Sequence, residues 1–135
     1  MDEKKVNLAN YRKQKAEDEL KSAKYLLEKE IFTSSLSSSY YAIFHSIRIL
    51  FAFEGIDSKT HRGVTHLFNK HFVKQGLLPK KLNSIISGAL EMRLDSDYED
   101  FYMVSKKETK EQMENAEKFM NEIIEFVKKH YKVEL

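Results

Sequence analysis

The chain has 135 residues, 33% of them charged and 41% hydrophobic, with one proline, four glycines and no cysteine. That length fits a single domain over residues 1–135, able to bury a core unaided, and the missing cysteine excludes disulfides, thiolate catalysis and cysteine-held zinc or iron–sulfur centres. The formal charge is only +2, yet residues 58–90 hold Lys59, Arg62, Lys70, Lys74, Lys80 and Lys81 and no acid, which concentrates +6 there and leaves −4 for the rest. A basic surface and a set of separately solvated side chains are both compatible with that run. The charged N-terminal stretch suits neither a secretory signal nor an anchor, and no later segment is apolar for long enough to cross a bilayer. A soluble, cytoplasmic protein without membrane contact is expected.

In chain order, Asn7 is a fair N-cap for a first helix whose stripe is Ala9, Ala16, Leu20, Ala23 and Leu27, running to about Glu30. The serine-rich stretch Thr33 to Ser39 leads directly into a very apolar run and reads as the start of a second helix. Thr33 or Ser34 can cap it, and small serines let a neighbouring helix approach closely. From Tyr40 to Phe53 apolar residues fall on nearly all sides, the pattern of a central helix. After the break at Gly55, Ser58 can cap a third helix with Val64, Leu67, Phe68 and Phe72 as its stripe, ending at Gly76 with Pro79 beyond.

A fourth helix starts near Lys80, buries Leu82, Ile85, Ile86, Ala89 and Leu90, and continues towards Arg93, after which the acids and aromatics of residues 93–104 interrupt the period. Ser105 to Glu108 has the form of a capping box and opens a last helix striped by Met113, Ala116, Met120, Ile123 and Val127. The predicted architecture is all-α: an antiparallel four-helix bundle with one additional short helix.

Among residues that could carry chemistry, His61, His66 and His71 recur every five positions, which turns successive side chains onto different faces, so no metal site is expected. His61 falls in the first turn of the third helix, where local hydrogen bonding is its economical role, and His45 reads as a satisfied core histidine. The serines lack the elbow of a hydrolase, and no phosphate-binding glycine loop is present, so no cofactor is expected either. The segment from Arg93 to Tyr98 is harder to explain by packing alone. Helical spacing lets Asp97 orient the Arg93 guanidinium while Tyr98 offers a ring or hydroxyl, and an oriented arginine is a natural phosphate ligand. Of the pair Tyr40 and Tyr41, at least one should pack, and Tyr41 can stack on a base.

Several stretches together resemble the HEPN superfamily in its small stand-alone prokaryotic branch, over nearly the whole chain. They are the spaced Ala16, Leu20, Ala23 and Leu27; the run Ser39 to His45; Lys59 to Gly63; Phe72, Val73, Lys74 and Gly76; and Arg93 with Asp97 and Tyr98. The resemblance implies an antiparallel bundle that often dimerises with the arginine motif near the dimer cleft, and a minimal nucleotidyltransferase as partner in a toxin–antitoxin or defence pair. In ribonuclease members four to six residues, the first of them polar, separate an arginine from a histidine, and cleavage needs no metal. Here Leu94 follows Arg93, and Tyr98, Glu99 and Asp100 stand where the histidine would fall. The expectation is therefore a binding or regulatory module for RNA or a nucleotide, with Arg93, Asp97, Tyr98, Tyr41 and His61 as ligand contacts. The alternatives are a metal-independent endoribonuclease using Arg93 with Tyr98 or His45, and a purely structural oligomer.

Overall fold

The computed structural model describes residues 2–135. Among them are five α-helices and no strand: α1 Glu3–Glu28, α2 Phe32–Glu54, α3 His61–Phe68, α4 Lys81–Tyr98 and α5 Lys106–His130. A π-helical turn, Asn69–Val73, extends α3. Helices α1, α2, α4 and α5 form the antiparallel bundle and α3 is the additional short one, as the apolar stripes predict. No helix is long and apolar enough to cross a membrane.

Helix α2 is the centre of the bundle because it is apolar all round, and it touches α1, α3, α4 and α5. Against it, α1 presents Ala9, Ala16 and Ala23, each fully buried, and α2 answers with the buried serines Ser35, Ser39 and Ser46. Two small faces allow close approach, and Ser35 donates to the carbonyl of Ala23 at 2.8 Å across the contact. Phe51, Phe68, Phe72 and Phe119 fill the remaining core with Ile43, Ile47, Leu82, Ile86 and Ile123. Each such side chain contributes roughly 1.5–3 kcal/mol of burial.

The helix ends differ from expectation at several points. Asp2, not Asn7, caps α1, accepting from the Lys4 amide at 2.8 Å. The helix closes in a Schellman arrangement, Ile31 N–H to Leu26 O and Glu30 N–H to Leu27 O, with Glu30 at φ 61° in the position usually held by glycine. Neither Thr33 nor Ser34 caps α2. Its N-cap is Ile31, without a side-chain bond, because this tight reversal already turns the chain into the helix. Thr60 rather than Ser58 caps α3, accepting from Gly63 N–H at 2.9 Å. Helix α4 runs on through the Arg93 segment to Tyr98, since nothing in that polar sequence breaks a helix, and Ser96 and Asp97 face the serine-rich start of α2. The capping box of Ser105 and Glu108 forms as predicted.

Candidate functional site

Helices α2, α3 and α4 meet where Tyr40, Tyr41 and Phe44 lie along one side of α2, His61 starts α3 and Arg93 sits a turn from the end of α4. The Arg93 guanidinium lies 5.3 Å from the ring centre of Tyr40 and 5.2 Å from that of Tyr41. One of its nitrogens donates to the Tyr41 hydroxyl at 3.3 Å and approaches the Asp97 carboxylate at 3.6 Å. The predicted Arg93–Asp97 pairing therefore exists, because α4 stays helical and residues four apart share a face. Arg93 Nε is buried without a hydrogen-bond partner, so the group retains unused donor capacity.

His61 completes the cluster from a second direction. Its ring stacks on Phe44 at 4.5 Å, and its Nδ1 lies 2.5 Å from the Tyr40 hydroxyl. Burial raises the Tyr40 pKa to about 12, with Arg93 opposing and Tyr41 adding to the rise, so the phenol keeps its proton at neutral pH. Burial, then the charge of Arg93, hold His61 below its ordinary value. The protonated phenol and the neutral imidazole share this one hydrogen bond, and with the phenol as donor the histidine's own proton stands on Nε2. The cluster thus offers an arginine and an imidazole N–H, both donors, around aromatic faces.

The loop that delivers His61 is tied down by charge. Asp57 accepts from Arg48 at 2.6 and 3.2 Å and from Arg12 at 3.4 Å, while Arg12 also donates to the Arg48 carbonyl at 2.7 Å. Burial pushes the Asp57 carboxyl up, but hydrogen bonds from Arg48 and the Ser58 amide, with the charges of Arg48 and Arg12, outweigh it and hold the pKa below the usual range. Arg12, Arg48 and Asp57 were not singled out by sequence. The one available signal was an aspartate placed directly after a helix-ending glycine and one further residue.

Other expected site residues lie elsewhere. Tyr98 is 78% exposed and makes no hydrogen bond or ring contact with Arg93, because five residues along a helix rotate it away. His45 lies near Tyr41, with ring centres 6.2 Å apart, but it is not a satisfied histidine: its Nδ1 is buried without a partner. Burial, then Lys15, Arg48 and Arg12, push its pKa down to about 4. His61, His66 and His71 do not converge, and no cluster of three metal-binding side chains occurs among the described residues.

An all-α bundle with a polar cluster assembled from three helices at one end defines a compact helical domain whose chemistry is gathered around an arginine. The HEPN domain model matches residues 9–130, and the chain belongs to that family. A UPF0332 protein of Thermotoga maritima is 30% identical over 119 residues, covering 88% of this chain and 90% of that one. A protein of Methanocaldococcus jannaschii whose name marks it as a candidate toxin is 32% identical over 112 residues, 80% of each chain. A UPF0332 protein of Archaeoglobus fulgidus is 32% identical over 116 residues, covering 86% and 92%.

Proposed function

We propose that this protein is a HEPN-domain module that binds the phosphate of RNA or of a nucleotide. The observation that carries the reading is the guanidinium of Arg93, oriented by Asp97 and Tyr41 across two aromatic rings that it shares with the imidazole of His61. A guanidinium held in this way, with an imidazole on the same two rings, suits capture of an oxyanion. Membership of the HEPN family and relatives named as candidate toxins support a nucleic-acid or toxin-related role.

The module acts as a homodimer and works with a minimal nucleotidyltransferase. Leu94, Tyr98, Phe101 and Met103 support a docking role for the end of α4 and the loop after it, Phe101 being wholly exposed and Met103 90% so. Apolar groups held out together in this way are characteristic of a surface that meets another protein.

Metal-independent RNA cleavage is the second reading, favoured by one observation. Arg93 and His61, far apart in sequence, share the rings of Tyr40 and Tyr41. Arginine would stabilise charge on the phosphate, and the imidazole would have to exchange its proton through Nε2.

Incubating structured and unstructured RNA with the protein in EDTA, beside Arg93→Ala and His61→Ala, separates the two. Binding that weakens at least about tenfold in Arg93→Ala, with the RNA intact, is the expected outcome. Cleavage lost in both variants would move the conclusion to the enzyme. Binding and RNA unchanged in both variants would overturn the site.

A further inference from the structure

Beside the Arg93 cluster, α3 and the π-turn stand apart from α4 to leave a cleft lined by Arg62, Thr65, His66, Asn69, Asn83 and Leu90. The cleft adjoins the cluster on both walls: Arg62 is the next residue after His61 on α3, and Leu90 precedes Arg93 by three residues on α4. Asn83 Nδ2 donates to Asn69 Oδ1 at 2.8 Å, while Asn83 Oδ1 is buried with no hydrogen-bond partner. One bond between two carboxamides always leaves one NH2 group and one oxygen over, whichever way the amides are turned. A buried acceptor without a partner costs on the order of 1–3 kcal/mol, which a donor arriving in the cleft would relieve.

We infer that the α3–α4 cleft is a nucleobase pocket for a strand whose phosphate lies on Arg93. This rests on the reading of Arg93 as a phosphate contact. A base edge carries a donor beside an acceptor, complementing the spare oxygen of Asn83 and the spare amide of Asn69, and carboxamides are the side chains that read such edges in pairs. Leu90 and the stem of Arg62 supply apolar contact for the ring face. Ser87 and Arg93 are six residues apart, roughly 9 Å along the helix, so the base and the phosphate belong to neighbouring nucleotides of one strand. Arg62, His66 and Lys70 recur every four residues along α3 and the π-turn, and all three are exposed to solvent. Arg62 and Lys70 have no acidic partner among the described residues, which suits them to the backbone of such a strand. The π-turn starts at Asn69, whose carbonyl accepts from Lys74 N–H at 2.8 Å, and turns of this type often mark functional positions.

The test uses the whole protein, 15N-labelled and titrated with five-nucleotide oligomers of adenosine, uridine or cytidine and with an abasic ribose-phosphate oligomer of equal length. At least one base-bearing oligomer should bind about fivefold or more tighter than the abasic one and shift the side-chain amide signals of Asn69 and Asn83. Ser87 is exposed at the cleft mouth, so Ser87→Trp obstructs the pocket without touching the core. It should remove that excess and leave abasic binding unchanged, as should Asn83→Leu. Equal binding of all oligomers, or an excess that survives Ser87→Trp, overturns the pocket. The phosphate reading fails separately, if Arg93→Ala leaves abasic affinity unchanged.

Discussion

Gly63 shows how tightly the candidate site is held at the level of single residues. A methyl group there would collide with Ser58 Oγ and come within 2.9 Å of Thr60 Oγ1, the atoms that shape the start of α3. Gly63→Ala must therefore disturb the cap and move His61 away from Tyr40. The expected loss is about 1–3 kcal/mol by denaturant titration, accompanied by a rise of the His61 pKa towards its ordinary value by NMR. An unchanged His61 titration would show that the cap does not position the imidazole. The same scale separates what could be read from the sequence. Arg93 and Asp97 were legible as a pair because their spacing alone joins them. The meeting of Arg93 with His61 was not, because it depends on how three helices pack.

Whole elements were legible where the apolar stripe was strong, and their ends were not where several residues qualified as caps. Asp2 and Asn7 both suit the start of α1, and Ser58 and Thr60 both suit α3; the side chains that accept from the first turns are those of Asp2 and Thr60. Glu30 gave no warning at all, since the Schellman turn it occupies prefers glycine. That mismatch is measurable. Glu30→Gly relieves the left-handed strain of a residue that carries a Cβ, and although the unfolded chain gains freedom, a net stabilisation of roughly 0.5–1 kcal/mol is expected. A lower denaturation midpoint in this variant would mean that the glutamate side chain contributes something the turn geometry does not explain. The far end of helix α4 was illegible for a different reason: beyond Arg93 it meets the serine-rich start of α2 through the polar Ser96 and Asp97, so no apolar stripe marks it.

The molecule as a whole has a predictable response to acid. His45 is held neutral, with a folded pKa of about 4 against an ordinary value of 6.5, so the unfolded chain binds more protons between those limits. The stabilising contribution is complete above pH 6.5 and is lost as pH falls towards 4. His61, lowered in the same direction, adds to the slope, whereas Asp57 contributes stability that fades only at lower pH, through its depressed folded value. Denaturation midpoints measured from about pH 7 to 4 should fall, and His45→Gln should flatten part of that fall; parallel curves for the two proteins would refute the assignment to His45. The bundle that sets these environments was readable from composition and period, because a helix apolar on every side has few alternatives to the centre. The charges that surround His45 were not, since Lys15 and Arg12 come to it from α1.

The π-turn at Asn69–Val73 gives this arrangement a peculiar sensitivity to chain length. Such a turn is a helix with one residue more than its regular register needs, and each residue added or removed rotates the downstream helix by about 100°. An insertion in the link between α4 and α5 would merely enlarge a loop. The same change here would swing Phe72 and Val73 out of the core or carry Asn69 away from Asn83, so the count of residues in this segment is itself a structural variable, fixed by the need to satisfy the core and the cleft together.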